Sequence, residues 1–391
     1  MDPQIQHYGF SLIWIYFSSL FVFLAGIWEI RLVSKQLKIS EIKSFSLYLW
    51  HTLITIIHYL WLTGSGGGDI VGTYLNSLDP GFTSPYLGTL TVTKFYSILS
   101  ILLRFSFFTT FLVVNIFATN ALMIIEYFYK KYSKEFPLLL RNICNLFIWL
   151  PVLSFWTCLA KDAFMLLSVL LITFSLEKFN KRSYLLIPAI AIAACLRSYV
   201  TIIFIISILI SNFSTKGVIN SARKILIFLI VAISIYFVFP LVNDYIFKGG
   251  FENLGSLIEK RNFYTNITSM GTYAIDPSSN ALWKIFSYSF RPLFYDAYSI
   301  FGLLLSIDSA ILLSIFSYLL ILSIKLKRIL FIFSNQFLIF CSSSTIIIGL
   351  GLSLTTSNLG LASRHKWMFL PVAFIGFMRL FFDYYQNKFK D

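Results

Sequence analysis

Long runs of apolar residues constrain this chain more than any other feature of its sequence. Runs of about 18 or more such residues recur along it, and each can cross a hydrocarbon core of about 30 Å. Hydrophobic residues make up 58% of the 391 residues and charged residues only 12%, whereas a soluble domain carries about 25% charged residues. We therefore predict an all-α polytopic membrane protein with a single integral membrane domain over residues 1–391.

The apolar runs predict about eleven transmembrane helices, to within one or two. Two of these runs, 183–196 and 198–212, are short for a span and are flanked by basic segments on both sides, so the chain has to enter and return with Arg197 at the tip. The predicted helices cover roughly 10–28, 44–62, 96–127, 138–156, 163–176, 183–196, 198–212, 224–243, 297–323, 329–353 and 366–382.

Basic residues alternate from one connection to the next, and this alternation predicts the orientation. With eleven spans, 19 of the 31 lysines and arginines fall in every second connection or in the C-terminal tail. Lysine and arginine collect on the cytoplasmic side of membrane proteins. This bias also accounts for the formal net charge of +14, so we expect no nucleic-acid partner. The N-terminus is predicted outside and the C-terminus inside.

Two hydrophilic loops are predicted on the outer face. The first covers residues 64–94 and begins "GSGGGDIVGTYLNSLDPG", which includes Asp69. The second covers residues 244–296, the largest hydrophilic stretch of the chain, and includes Arg261 and Arg291. No GK[ST] follows the glycines of the first loop, so we interpret it as a flexible outer loop and not as a phosphate-binding loop.

Charged residues also stand at the outer ends of predicted helices, where lysine and arginine are disfavoured. The segment "SFWTCLAKDAF" places Lys161 and Asp162 between two apolar runs, and Arg197, Arg291 and Arg364 hold comparable positions. For any one residue, snorkelling or helix capping by Asp162 is the alternative interpretation. Because several converge on one face and guanidinium groups match phosphate oxygens bidentately, we favour a lipid-linked phosphate or pyrophosphate as their partner.

Other polar residues fall inside the predicted helices. Arg104 and Asp308 cannot face lipid at low cost, so we expect both to face the bundle interior or a wet cavity. In that position we expect Arg104 and Asp308 to bind substrate; the alternative is that they form a structural ion pair with each other. His51 and His58 lie seven residues apart on one helix face, and we interpret them as polar packing residues, with a catalytic part left open for His58.

Signatures of soluble enzymes and of metal sites are missing from the sequence. It contains no P-loop, no GxGxxG after a strand, no HExxH and no DxD pair. Acidic residues of the outer loops do not cluster as the ligands of a divalent metal do. We therefore expect no metal and no cofactor.

Four segments together resemble the Wzy-type O-antigen and capsule polymerases. They are "LPVLSFWTCLAKDAF", "AACLRSYV", "FSYSFRPLFYDAYS" and "SNLGLASRHKWMFLP", within roughly residues 150–371. Members of that family often carry an FW(x)nGKD-like element, a tip Arg-Pro, an F-R-P element after the large outer loop and a final N-x-G-L-x-x-R stretch. Here Ser198 follows Arg197 where proline is common, and Arg261 and Gly271 are one residue short of the Arg-x10-Gly loop motif.

The resemblance implies a GT-C-like glycosyltransferase in the bacterial inner (cytoplasmic) membrane, with its large loop and its active site at the periplasmic face. Its expected partners are an undecaprenyl-pyrophosphate-linked oligosaccharide donor and acceptor, membrane lipid and, in addition, a chain-length regulator. Fixed arginines would stabilise the pyrophosphate leaving group without a metal, and His365 and Asp69 are candidate bases for the acceptor hydroxyl. The expected catalytic residues are Arg291, Arg197, Arg364, His365 and Asp69. The expected substrate-binding residues are Lys161, Asp162, Arg104, Arg261 and Asp308.

Three other kinds of protein remain alternatives. An O-antigen ligase or another GT-C glycosyltransferase would share the sidedness and the basic outer sites. A flippase for lipid-linked oligosaccharides would also be polytopic, but transporters often contain two similar halves, and no internal repeat is visible in this sequence. A membrane acyltransferase would be expected to present its histidine and arginine in different helices.

Overall fold

A computed structural model describes residues 11–64, 69–79, 81–84, 87–214, 275, 279–356 and 358–388. Helices form the regular structure of this part of the chain, and no β-strand occurs in it. The all-α prediction is therefore confirmed. The predicted helix 224–243, Arg261 and most of the loop 244–296 lie outside the described residues.

The described part of the chain contains fifteen α-helices, joined in places by single turns of 3-10 helix and by one π-helical turn. In chain order they are α1 (Leu12–Leu37), α2 (Glu41–Gly64), α3 (Asp69–Ser77), α4 (Leu87–Ser97), α5 (Phe107–Tyr132), α6 (Leu138–Ile148), α7 (Pro151–Trp156), α8 (Ala160–Glu177), α9 (Phe179–Arg182), α10 (Leu186–Ser214), α11 (Ala281–Phe290), α12 (Ile300–Lys325), α13 (Gln336–Thr355), α14 (Leu359–His365) and α15 (Leu370–Lys388).

Seven helical segments of the described residues are long and apolar enough to cross a membrane. The chain is thus a polytopic membrane protein, as predicted. An eighth span results if Leu359–Met368 and Leu370–Gln386, which are bent by 45° to each other, cross as one unit. The seven segments are Leu12–Leu37, Glu41–Gly64, Phe107–Glu135, Leu138–Trp156, Phe179–Phe213, Ile300–Lys325 and Gln336–Leu354.

These spans differ from the predicted eleven for identifiable reasons. Helix α8 has 18 residues but carries Lys161, Asp162 and Glu177 near its two ends, so its apolar stretch is shorter than a comfortable span. The predicted helices 183–196 and 198–212 form one unit, α10, with a break inside it. The third difference is the segment 224–243, which is not among the described residues.

The predicted helix 96–127 is wrong as a single span. Helix α4 ends in a π-helical turn, Ile98–Leu102, and α5 begins only after Ser106. The Ser106 hydroxyl accepts a hydrogen bond from the Thr109 amide at 3.1 Å, which is the preferred chemistry of a helix N-cap. Arg104 lies in the break between the two helices, with a left-handed backbone at φ 52°.

Helix α5 is the centre of the bundle. In its most apolar stretch 72% of the residues are buried, against 28% in α1. Helix α5 packs against α1, α2, α8 and α15, and small residues such as Ala118 and Ala121 lie fully buried in it. Small side chains allow helices to approach closely in a membrane, where packing and not water exclusion drives association.

The first half of α10 runs back along α8. Arg182, which precedes α10, pairs with Glu177 at the end of α8 at 3.1 Å. Eleven residues into α10, Arg197 lies beside Asp162 in the first turn of α8. Arg197 has a non-helical backbone, with φ −148° and ψ 77°. The helix therefore breaks at the level where α8 begins.

The second half of α10 returns to the end of the bundle from which the first half came. The side chain of Gln336, the first residue of α13, donates a hydrogen bond to Asn212. The next residue, Phe337, packs on Phe128 with ring centroids 6.1 Å apart. Near Phe128, Lys131 pairs with the carboxylate at the last residue of α8. Helix α10 is thus a helical hairpin with its tip at the break, as its basic flanks predict. The segment Phe179–Phe213 therefore enters and returns, although its length alone would allow one crossing.

This hairpin predicts a specific disulfide. In a variant without the four native cysteines, Asn212→Cys with Gln336→Cys should cross-link under mild oxidation, because the two side chains are in contact. Val200→Cys with Gln336→Cys is the matched control, since Val200 lies at the opposite end of the returning helix. Cross-linking by the control pair alone, read as a mobility shift on a gel, would contradict the hairpin.

Candidate functional site

A buried carboxylate joins three distant segments at one end of the bundle. Asp162 lies in the first turn of α8 and is only 5% exposed. Its Oδ1 accepts a hydrogen bond from Arg197 Nη2 at 3.0 Å, and its Oδ2 accepts one from Arg364 Nε. The interpretation of Asp162 as a helix cap is therefore wrong: its side chain binds two arginines, although its position also suits the helix dipole.

Arg197 reaches this carboxylate because the backbone breaks at its own position. The side chain is 7% exposed. Its Nη1 donates to Tyr199 Oη at 3.1 Å and to His365 Nε2 at 2.8 Å, while Nη2 binds Asp162. Arg197 thus connects the hairpin tip with both other segments, as a buried charge does when it is paired and hydrogen-bonded.

Arg364 is the more accessible of the two arginines, with 20% of its side chain exposed. It lies in α14, which Asn358 caps at the N-terminus: the Asn358 side chain accepts a hydrogen bond from the Leu361 amide at 3.1 Å. Its Nε is bonded to Asp162, while its two terminal nitrogens make no hydrogen bond to any residue that the structure describes. A guanidinium held through Nε keeps its two terminal nitrogens, each with two N–H groups, for a ligand.

His365 is poorly placed to act as the expected base through Nε2. A guanidinium only donates, so His365 Nε2 must accept the hydrogen bond from Arg197. The lone pair that would take a proton is therefore already used. Because Nε2 of His365 accepts a hydrogen bond, it carries no hydrogen, and the neutral imidazole has its hydrogen on Nδ1. His365, at 6% exposure, orients Arg197.

Lys161 lies at the same corner, against the hairpin tip. A Cβ atom on Gly88 would clash with the carbonyl oxygen of Leu196 and would approach Lys161 Nζ within 2.8 Å. Only glycine therefore fits where α4 crosses the tip. The Thr91 hydroxyl, one turn further along α4, donates to the Cys195 carbonyl at 3.2 Å. Helix α4 thus covers the hairpin next to Lys161.

A second charged pair lies deeper in the bundle. Lys366 is fully buried, and its Nζ donates to Ser309 Oγ at 3.0 Å. Asp308 is 3% exposed, attracts Lys366 electrostatically, and accepts from the Val152 amide at 3.2 Å. This amide belongs to the first turn of α7. The neighbours Asp308 and Ser309 therefore hold the start of α7 and Lys366 respectively, and Asp308 meets the expectation that it faces the bundle interior.

Arg104 does not share this environment. It is exposed on the outside of the bundle, and its carbonyl accepts from Trp14 Nε1 at 2.7 Å. The expectations that Arg104 faces the interior and that it pairs with Asp308 are wrong, because the helix breaks there. The side chain of Asp69 and all of Arg261 lie outside the described residues, so their expected roles stay predictions.

Arg291 is buried and paired within its own segment. Its Nε donates to Asp296 Oδ1 and Oδ2 at 3.1 and 2.9 Å, and its Nη2 binds Oδ1. Asp296 Oδ2 also accepts from the Leu293 amide at 2.7 Å. The hydrogen bond to Asp296 raises the pKa of Arg291. The structure brings Arg291 into a closed turn and not onto Asp162.

The two histidines of α2 are buried among other groups. His51 contacts Asn115 Oδ1 at 2.6 Å and Thr157 Oγ1 at 2.9 Å. His58 Nδ1 contacts the Phe155 carbonyl at 2.6 Å, and its ring stacks on Phe155 with centroids 4.0 Å apart. Both arrangements are those of polar packing residues, which hold the segment before Asp162 against α2.

A small cavity opens beside the Asp162–Arg364 pair. Its volume of about 10 Å³ corresponds to one water-sized group. Its lining combines charged, aromatic and apolar side chains, namely Trp156, Thr157, Asp162, Leu166, Arg364, Trp367 and Met368.

The charges of this site do not cancel. One carboxylate, Asp162, faces two guanidinium groups that stay protonated, so the trio of Asp162, Arg197 and Arg364 carries a net charge of +1. We call these three residues the Asp162 cluster. Among the described residues nearby, Asp308 and Lys366 carry opposite charges and attract each other. The cluster is therefore suited to an anion.

Sequence reasoning missed several members of this site. Tyr199 lies two residues after Arg197, and Ser309 directly follows Asp308. Nothing in the sequence pattern identified either residue. The indole side chains of Trp156 and Trp367 were visible only as part of the "FW" and "HKW" segments. Asp296, the partner of Arg291, follows it by five residues in "FRPLFYD", a spacing that fits a closed turn.

Comparison with protein-family models, with curated proteins and with solved structures finds no match to this chain. The class that the fold and the site define is an all-α polytopic membrane protein with a buried, positively charged cluster at one end of its bundle. The family resemblance rests on the four sequence segments alone.

The cluster predicts a large effect of Asp162 on stability. Asp162→Asn leaves two guanidinium groups without a counter-charge, one of them buried, and should destabilise the protein by on the order of 3 kcal/mol. Asp383→Asn is the matched control, because its partner Arg379 lies on the same helix and both are partly exposed, so its cost should stay below about 1 kcal/mol. Thermal unfolding of the purified protein measures both. Equal melting temperatures for the two variants would contradict the cluster.

The Arg291–Asp296 pair predicts coupled losses of stability. Arg291→Ala and Asp296→Ala should each lower the unfolding temperature, since each leaves a buried charge unpaired. The double variant should cost less than the sum of the two, as a double-mutant cycle measures. Additive losses would show that the two residues act independently.

Proposed function

We propose that this protein is a polysaccharide repeat-unit polymerase of the O-antigen type. It joins oligosaccharides carried on undecaprenyl pyrophosphate at the periplasmic face of the bacterial inner membrane. The observation that carries the proposal is the Asp162 cluster at one end of the helical bundle, in which the terminal nitrogens of Arg364 make no hydrogen bond to the described residues. The segments that build this cluster are among those that resemble the polymerase family.

The position of the cluster supports the periplasmic face. Asp162 begins α8, while Glu177 at the other end of α8 pairs with Lys131 and Arg182. These two belong to the connections rich in basic residues, which the positive-inside rule assigns to the cytoplasm. The cluster therefore lies at the opposite end, where undecaprenyl-linked glycans are displayed for polymerisation.

The proposed reaction needs stabilisation of a leaving group. The acceptor hydroxyl oxygen bonds to the anomeric carbon of the donor glycan, the bond from that carbon to the pyrophosphate oxygen breaks, and the pyrophosphate leaves with the electron pair. Arg364 donates through its terminal nitrogens to this developing charge. The proton of the acceptor hydroxyl is released to water, and His365 takes no part in its removal through Nε2.

The other residues have supporting roles in this proposal. Asp162 fixes the orientation of Arg364 and limits the local positive charge. Arg197 holds Asp162 from the hairpin tip, and His365 orients Arg197. Asp308 holds the start of α7, and its neighbour Ser309 holds Lys366. Lys161 adds long-range attraction for the pyrophosphate from the edge of the site. Arg291 stabilises the turn after the large outer loop, so its loss acts through folding.

Deletion of the gene tests the proposed class. In a bacterium with an intact O-antigen pathway, loss of a polymerase should leave lipopolysaccharide with a single repeat unit and remove the ladder of longer chains on a gel. Loss of a ligase or a flippase would leave the core alone. A full ladder after deletion would contradict the proposal.

Variants of Arg364 test the role of the cluster in this reaction. Arg364→Ala should abolish chains beyond one repeat unit, and Arg364→Lys should restore them only in part, because a point charge lacks the bidentate fork. Arg104→Ala is the matched control, since Arg104 is an exposed arginine without contact to the cluster. The glycan ladder is compared at equal protein level. A normal ladder from Arg364→Ala would refute the role.

A further inference from the structure

Two indole groups in the lining of the small cavity have donors that the described residues do not use. Trp156 and Trp367 are each only 2% exposed. The Nε1 atom of each is buried and makes no hydrogen bond within the part of the chain that the structure describes. Buried polar groups are nearly always paired, and leaving a donor unpaired costs about 1–3 kcal/mol. Two such donors beside one cavity indicate a ligand that accepts hydrogen bonds.

The carboxylate in the lining selects among possible ligands. Each oxygen of Asp162 already accepts from one arginine, and each has a second lone pair. A phosphate oxygen only accepts, so it would satisfy the indoles but meet the negative charge of Asp162. A hydroxyl can accept from an indole and donate to Asp162 at the same time. The lining therefore suits a hydroxyl group better than an anionic oxygen.

The size and the surroundings of the cavity agree with a hydroxyl. Its volume of about 10 Å³ accepts one oxygen-sized group. Arg364 lines the same cavity. A ligand that places a hydroxyl in the cavity therefore brings its neighbouring atoms against this guanidinium. A sugar joined to a pyrophosphate carries hydroxyl groups within a few bonds of the pyrophosphate.

We propose that Trp156 and Trp367 form a subsite for one hydroxyl group of the sugar that is joined to the lipid pyrophosphate. The two indoles donate to the hydroxyl oxygen, Asp162 accepts its hydrogen, and Arg364 binds the adjacent pyrophosphate. This inference rests on the proposed function, because it takes a lipid-linked sugar as the ligand. It assigns recognition of the sugar to side chains of the helical bundle.

Binding of two kinds of short-chain lipid tests this subsite. The probes are farnesyl pyrophosphate and farnesyl pyrophosphate linked to glucose, galactose or N-acetylglucosamine, with full-length protein in nanodiscs. The wild-type protein should bind at least one sugar-linked lipid about tenfold more tightly than farnesyl pyrophosphate, which corresponds to about 1.4 kcal/mol. Trp156→Phe and Trp367→Phe keep an aromatic ring but remove the donor, and each should reduce this preference about fivefold.

Controls separate the subsite from a general effect. The affinity of each tryptophan variant for farnesyl pyrophosphate should stay within about twofold of wild type, because Arg364 is unchanged. Trp149→Phe, a tryptophan outside the cavity that packs on Trp50, should keep the full preference. Melting temperatures without ligand confirm that each variant is folded.

The outcomes distinguish the subsite from the proposed function. If wild-type protein binds no pyrophosphate lipid, the proposed function falls and the subsite with it. If it binds farnesyl pyrophosphate without any preference for a sugar, the cavity holds water only, which overturns the subsite and leaves the proposed function. A preference that survives both tryptophan substitutions would also overturn it.

Discussion

The pairing of Asp162 with Arg197 and Arg364 is the interaction on which the rest of the site depends. It joins the first turn of α8 to the tip of the α10 hairpin and to helix α14, whose arginines are 35 and 202 residues from Asp162 along the chain. Buried charges are costly in an apolar bundle unless they are paired. The three segments therefore hold one relative arrangement, and in this arrangement the terminal nitrogens of Arg364 make no hydrogen bond to the described residues.

Two further interactions keep this arrangement in register. Asp308 accepts a hydrogen bond from the start of α7 and its neighbour Ser309 accepts one from Lys366, so both segments are held to α12. Gly88 lets α4 lie directly over the hairpin tip, where a side chain would clash with the Leu196 carbonyl. These contacts leave little room for Arg197 to adopt another position. The site is thus preorganised by the bundle, as stabilisation of a developing charge requires.

Hydropathy and charge alternation predicted the helical membrane fold and the return of the chain at Arg197, because long apolar runs and basic flanks are local properties. They also selected Asp162, Arg197, Arg364 and Asp308, and the family resemblance added His365; the structure brings these residues into one region. They failed where the outcome depends on distant partners or on local turns. The break at Arg104 follows from a capping serine inside an apolar run, and Arg291 is paired with Asp296 because a local turn closes on it. Similarly, Nε2 of His365 is the nitrogen that accepts a hydrogen bond because Arg197, 168 residues away in the sequence, donates to it.

The central claim is that the cluster holds Arg364 for a lipid pyrophosphate. The most direct measurement is an electron cryomicroscopy structure of the full-length protein in nanodiscs with farnesyl pyrophosphate. We predict density for the pyrophosphate at the terminal nitrogens of Arg364, with Asp162 still bonded to Arg197. Pyrophosphate bound elsewhere in the protein, or an Asp162 carboxylate separated from both arginines, would contradict the account.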